Sequence, residues 1–112
     1  MPQIAGNELT DAINVLKRNN IGVKVVNTLP SEMYHSQHQV DKEKVIRIAK
    51  EIRQGKPMPP IVISIDNYIV DGHHRQLAYK ITQPTTPIKV IRIGLNQKAA
   101  IAVWKKVEHL IK

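Results

Sequence analysis

The sequence predicts a single α+β domain in which a small mixed sheet is flanked by helices. Short β-branched runs of strand length alternate with amphipathic stretches of helical period, and the long repeated β-α-β units of a doubly wound sheet are missing. The chain has 112 residues, 42% of them hydrophobic, and contains no Phe. We therefore expect one core of ordinary size, built from aliphatic side chains.

The first element is an amphipathic helix within the first 20 residues. Either Asn7 or Thr10 is expected to cap it. We accordingly divide the chain into an N-terminal helical extension, residues 1–22, and a main domain, residues 23–112. The helix is expected to pack on its own sheet or on another subunit, so a homodimer is one of the predicted arrangements. Its apolar residues at helical spacing are Leu9, Ala12, Ile13 and Leu16.

The first half of the main domain predicts a strand, a helix and a hairpin. Residues 23–26 are β-branched and form the strand. Asp41 is expected to cap a helix that ends at Gly55. Residues 61–65 and 68–70 then form two strands around a tight turn.

The second half predicts a helix, a strand and a last helix. The helix starts at the two histidines that follow the hairpin, because the next five residues have high helical propensity. Residues 88–93 alternate apolar and basic side chains, which indicates a strand. The last helix starts near Gln97, and its Trp104 is expected in the core or an interface.

The run Asp71-Gly72-His73-His74-Arg75 joins a strand to a helix and is the candidate phosphate site. The first N–H groups of a helix have no partner within it, so an anion can accept hydrogen bonds from them. Gly72 has no Cβ, which lets a phosphate approach the backbone, and Arg75 can clamp two phosphate oxygens. Two histidines and an arginine beside a glycine exceed what a turn needs.

The acidic and imidazole groups of this run are the catalytic candidates. Asp71 is expected to cap the helix, to bind a divalent cation such as Mg²⁺ or Mn²⁺, or to act as a base. His73 and His74 can donate to phosphate or move a proton near neutral pH, and being adjacent they cannot point the same way. His35 and His38 offer a further metal hypothesis, although exposed histidines at that spacing are more common.

The charge of the chain favours a polyanionic partner. Seventeen Lys and Arg against nine Asp and Glu give a net charge of +8. Lys44, Arg47 and Lys50 lie on the helix after Asp41 and are candidate nucleic-acid contacts; a solvated helix face is the alternative. No segment approaches the ~20 apolar residues that span a bilayer, and no secretory signal is present, so we expect a cytoplasmic protein without a membrane partner.

Residues 59–63 and 69–78, with the helix that precedes them, resemble the ParB N-terminal and sulfiredoxin-like superfamily. The resemblance covers about residues 23–94, and the Asp-Gly-His-His-Arg box is its specific part. It implies the superfamily's small mixed sheet and binding of a nucleotide or phosphate at the box. Residues 34–38 lie near a second phosphate box of ParB clamps, so Gln37 and His38 become candidate phosphate ligands by this resemblance.

Members of the superfamily include DNA clamps, nucleases, sulfinic acid reductases and small-molecule kinases. Sulfiredoxins carry a catalytic Cys where this chain has His73, and the chain contains no Cys, so that reaction is excluded. Kinase-like relatives need a carboxylate in the region where this chain has Gln37 and Gln39. We therefore predict a ParB-like nuclease or DNA-binding domain. The alternatives are a phosphotransferase or ATPase using a nucleotide such as ATP, ADP or CTP, and a non-catalytic partner-binding module.

Overall fold

A computed structural model describes residues 6–36 and 40–111. The helices are α1 (Gly6–Arg18), α2 (Lys42–Arg53), α3 (His73–Thr82) and α4 (Gln97–Ile111), and a short 3₁₀ turn occupies Pro30–Glu32. The strands are β1 (Val23–Thr28), β2 (Ile61–Ile63), β3 (Ile69–Asp71) and β4 (Ile88–Ile93). Within these residues no helix has the length and apolarity needed to cross a bilayer.

The described strands form one mixed sheet in the order β1-β4-β2-β3. β4 pairs antiparallel with β1 and parallel with β2, while β3 pairs antiparallel with β2. On the other side of β3 lies the segment that follows the 3₁₀ turn, where Tyr34 bridges to Tyr68. The predicted α+β class with a small mixed sheet is confirmed, and β3 leads directly into the candidate site.

Helices cover both faces of the sheet. Val62 packs with β4 and with Ala12 of α1 and Trp104 of α4, whereas its neighbours Ile61 and Ile63 belong to a second cluster that contacts α3. This alternation follows from the two-residue period of a strand. All three β2 residues are buried because both faces are covered. Trp104 is 2% exposed, as a core residue should be.

Helix α1 packs on α4 and adds Ala12 and Leu16 to the cluster that contains sheet residues. The predicted caps of this helix are wrong, because α1 already begins at Gly6 and both Asn7 and Thr10 lie inside it. The predicted cap of α2 is correct: the Asp41 side chain accepts a hydrogen bond from the Lys44 backbone N–H.

The hairpin has shorter strands than the apolar pattern predicts. β2 ends at Ile63, and Ile65 is 59% exposed in the turn. The Ser64 hydroxyl donates to the Asp66 carboxylate and accepts from the Tyr68 N–H. The Ile65 N–H still donates to the Leu95 carbonyl, and β3 begins only at Ile69, so the connection is longer than a tight two-residue turn.

Candidate functional site

The turn from β3 into α3 is made by Gly72 in the left-handed conformation. Its φ is 103°, which L side chains rarely adopt. A Cβ at this position would also lie 2.9 Å from Arg75 Nη2 and 3.1 Å from Ile61 Cγ1. Gly72 is the N-cap residue of α3 and supplies no side-chain acceptor. The first N–H groups of the helix therefore lack both an intrahelical partner and a capping side chain from Gly72.

Asp71 is not the cap of α3, so that prediction is wrong. It is the last residue of β3, paired with Val62, and lies one position before the cap. Its carboxylate faces the Arg75 guanidinium instead, with 3.8 Å between Oδ2 and Nη2. The left-handed turn at Gly72 places the start of the helix one residue later than the cap interpretation requires.

Arg75 lies beneath the turn, and its side chain is 6% exposed. Nη2 donates to the Pro60 carbonyl at 3.3 Å, while Nε has no hydrogen-bond partner within the described residues. Burial lowers the pKa of the guanidinium, and the charge of Asp71 opposes this. The positive charge thus sits behind the backbone of Gly72, and the side chain does not reach outward as the predicted clamp would.

His73 is 7% exposed and contacts Ser36. Ser36 Oγ donates to the Ile69 carbonyl at 2.6 Å, while His73 Nε2 lies 3.0 Å from the same Oγ and accepts from the Ser36 backbone N–H at 3.4 Å. Burial lowers the pKa of His73 to about 4, with smaller contributions from the charges of His35 and His74. The ring is therefore neutral at pH 7.

A second buried contact joins the segment after the 3₁₀ turn to α3. His35 Nε2 donates to Gln76 Oε1 at 2.7 Å, and Gln76 Nε2 donates to the Pro30 carbonyl at 2.6 Å. The His35 and His73 rings meet edge to face, 5.3 Å between centroids. Sequence reasoning missed Ser36 and Gln76 as parts of the site. The only signal was the position of Gln76 directly after the Asp-Gly-His-His-Arg box.

His74 points away from His73, as adjacent helical residues must. Its Nε2 accepts from the Asp41 backbone N–H at 3.1 Å, which makes Nδ1 the donor nitrogen of the neutral ring. Burial and the charge of Lys44 lower the pKa of His74, while the charge of Asp41 opposes them. The side chain therefore ties the start of α3 to the start of α2.

Helices α2 and α3 run side by side in the same direction. Asp41 and His74 meet at their N-terminal ends, and Ile52 and Tyr79 line one groove near their C-terminal ends. Both helix dipoles consequently present their positive ends at the same place. The Asp41 carboxylate, which caps α2, offsets the positive end of that helix, so the uncapped N–H groups of α3 remain the open positive end.

Asp71 is also the candidate metal ligand. Its carboxylate already faces a guanidinium, and within residues 6–36 and 40–111 no three His, Cys, Asp or Glu side chains are arranged to hold a metal ion. Because Mg²⁺ can be held by one or two carboxylates together with phosphate and water, Asp71 as a Mg²⁺ or Mn²⁺ ligand stays a prediction. The predicted phosphate ligands Gln37 and His38 lie outside the described residues.

The candidate nucleic-acid contacts are spread along α2. Lys44 is half-buried, and its charge acts on the His74 ring, so it belongs to the site. Arg47 and Lys50 are exposed. Six residues of helix place Lys50 ~9 Å further along the axis than Lys44. The site thus continues into a row of cations on α2.

The fold is similar to solved structures of ParB N-domains. The pNOB8-like ParB N-domain superposes with a TM-score of 0.58 at 14% identity, covering 81% of this chain and 34% of that chain. The C2221 form of a Pnob8-like ParB-N domain gives 0.58 at 11%, covering 81% and 36%. This chain thus spans about a third of the length of those chains. No family model and no curated protein matches the sequence. The chain has a ParB N-domain-like fold.

Proposed function

We propose that the chain is a nucleic-acid-binding domain that holds a backbone phosphate at the start of α3. The observation that carries this proposal is the N-terminus of α3, which begins at Gly72 without a side-chain cap and adjoins the N-terminus of α2. Uncapped N–H groups and the dipole of α3 attract an anion, while the Asp41 carboxylate offsets the dipole of α2.

Arg75 supports the same proposal from beneath the turn. Its Nη2 lies 2.9 Å from the position that a Cβ of Gly72 would take, so its charge acts on an anion across the glycine backbone. A buried charge acts through a lower effective dielectric than one in water. Arg75 therefore contributes a field to the site, while the N–H groups and His74 Nδ1 supply the hydrogen bonds.

A polyanion is favoured over a single anion because the cations continue beyond the turn. Lys44 adjoins His74, and Arg47 and Lys50 carry the charge along α2. The whole chain has a net charge of +8. A nucleic-acid backbone presents phosphates at short, regular intervals, which matches a row of cations better than one nucleotide does.

Binding is favoured over hydrolysis because each catalytic candidate already has an internal contact. Asp71 faces Arg75, His73 accepts from the Ser36 N–H, and His74 accepts from the Asp41 N–H. His73 is neutral at pH 7 yet almost fully buried, so a base there would need the segment containing Ser36 to move. Nuclease activity is accordingly a subsidiary hypothesis, tested with Mg²⁺ and Mn²⁺ below.

A nucleotide such as ATP, ADP or CTP is the second candidate ligand. One observation favours it: the start of α3 is bordered by Ser36 on one side and by Asp41 on the other. These contacts limit the width of the site to a few groups. A phosphotransferase or ATPase would use the same N–H groups to hold the nucleotide phosphates.

Salt dependence separates the two ligands. We expect binding of labelled duplex DNA, followed by fluorescence anisotropy, to weaken about 40-fold between ~50 and ~200 mM salt if roughly three phosphates are contacted. Substitution of Lys44, Arg47 and Lys50 by Gln should flatten this dependence. Lys105→Gln, at an exposed position of α4, is the matched control. Tight binding of ATP or CTP with weak, salt-insensitive DNA binding would overturn the proposal.

The same protein should be incubated with plasmid DNA and Mg²⁺ or Mn²⁺. Binding without cutting is the expected result. Cutting that is lost in both His73→Ala and Arg75→Ala, with the fold retained by circular dichroism, would instead establish the nuclease hypothesis.

A further inference from the structure

An apolar groove runs between α2 and α3, from the start of α2 towards the end of α3. It has a volume of about 400 Å³ and is lined by Val40, Lys42, Val45, Ile46, Leu77 and Ile81. Ile46 is 66% exposed and Ile81 57% exposed. Isoleucine is usually buried, and two exposed isoleucines on neighbouring helices form a continuous patch and not a scattered pair.

One end of the groove, at Val40 and Lys42, adjoins the phosphate site, and the groove extends away from it along α3. Ile81 lies eight residues beyond the first residue of α3, which is ~12 Å along the helix axis. Apart from Lys42, its lining residues have no polar side-chain group. Apart from Lys42, the lining offers no hydrogen-bond donors to a phosphate backbone, so we infer that nucleic acid is not its occupant.

The borders of the groove are basic. Lys50 and Arg53 follow Ile46 by four and seven residues and so lie on its side of α2. Lys80 is exposed on α3 next to Ile81. Glu43 is the exposed acidic residue nearest to Ile46 along the same side of α2. Together with Lys42 in the lining, these positions leave the borders with a clear excess of positive charge.

We propose that this groove binds an amphipathic helix of a partner protein, whose apolar strip is flanked by acidic residues. Two parallel helices form a channel into which a third can place side chains at i, i+3 or i+4, and i+7. The basic borders would pair with the acidic flanks and set their orientation. A second copy of the chain is a poorer occupant, because symmetric docking would bring the same basic borders together.

The test uses three labelled peptides of roughly 15 residues, about 22 Å when helical. All carry the same leucine strip, and their flanking positions are Glu, Gln or Lys. Fluorescence anisotropy measures binding to the whole chain. We expect the Glu peptide to bind at least about tenfold more tightly than the Lys peptide, with the Gln peptide between them.

Three variants locate the binding. Ile46→Ser and Ile81→Ser should each weaken binding of the Glu peptide by about tenfold. Ile65→Ser is the matched control, because Ile65 is 59% exposed in the turn between β2 and β3. All three positions are exposed, so the fold should be retained, which circular dichroism and thermal melting check. DNA binding should be unchanged in all three.

Several outcomes would overturn the proposal. They are equal binding of the three peptides, equal loss in the Ile65→Ser control, and no binding of the Glu peptide. If the last is accompanied by self-association in sedimentation experiments that Ile46→Ser abolishes, the occupant is a second copy of the chain.

Discussion

Two helices begin side by side in this protein, and they treat their first N–H groups in opposite ways. The start of α2 is closed by its own residue: the Asp41 carboxylate accepts from the Lys44 N–H. The start of α3 has Gly72 in the corresponding position, which offers no acceptor. The same backbone geometry thus produces one helix start with a side-chain cap and one without. His74, which accepts from Asp41, holds the two together.

The largest expected effect comes from adding a Cβ to Gly72 at the N-terminus of α3. Gly72→Ala forces a side chain into a left-handed conformation and into contact with Arg75 and Ile61. We expect the free energy of unfolding to fall by about 3 kcal/mol, of which roughly half is conformational and the rest crowding. Denaturant unfolding measures this loss. DNA affinity should fall as well, because the added Cβ displaces the Arg75 guanidinium that lies behind the turn.

Gly55→Ala is the matched control for this change. Gly55 also has a positive φ, 76°, but a Cβ added there would meet no atom within 4 Å beyond its chain neighbours. The free energy of unfolding of this variant should fall only by the conformational cost of the left-handed backbone, about 1 to 2 kcal/mol. Equal losses at Gly55 and Gly72 would contradict a close approach at the start of α3.

The second prediction concerns the two histidines that follow Gly72. The pKa of His73 is lowered from 6.5 to about 4, mainly by burial. The unfolded chain therefore binds a proton between these values that the folded chain does not. This contribution to stability is fully present above pH 6.5 and is lost as the pH falls towards 4, by about 2 to 3 kcal/mol.

Urea unfolding across this pH range measures the effect. His73→Gln keeps an acceptor for the Ser36 N–H without the titrating ring, so its stability should depend less on pH. The pKa of His74 is also lowered, so His74→Gln should change the pH dependence in the same direction but less, because this ring is less buried. An unaltered slope in His73→Gln would show that His73 is not the titrating group.

The smallest expected effect comes from removing the side-chain cap at the N-terminus of α2. Asp41→Ala removes the cap of α2 and should lower the free energy of unfolding by about 1 kcal/mol. It also removes a negative charge beside His74. DNA affinity should therefore stay level or rise modestly, in contrast to its loss in Gly72→Ala. A fall in affinity would mean that Asp41 orients His74 for binding. Asp41→Asn, which keeps a capping oxygen, separates the cap from the charge.

Local features of the fold were predictable because a few neighbouring residues decide them. Asp41 as a cap, Gly72 as a turn and the run of β-branched residues in β4 each depend on contacts within about four positions. The hairpin was harder: Ile65 continues the apolar pattern, yet the Ser64 bonds end β2 two residues earlier. A hydroxyl that bonds to nearby backbone competes with the sheet, and apolar periodicity does not register it.

The sequence alone determined the alternation of strands and helices and the strand-to-helix turn of residues 71–75. Only the tertiary structure decided where the side chains of that turn point. His73 meets Ser36, His35 meets Gln76 and His74 meets Asp41 across more than thirty residues in each case. Arg75 is drawn inward because the space behind a Cβ-less Gly72 is open to it. Such pairings follow from how α3 packs against β3 and α2, and no local pattern encodes that packing.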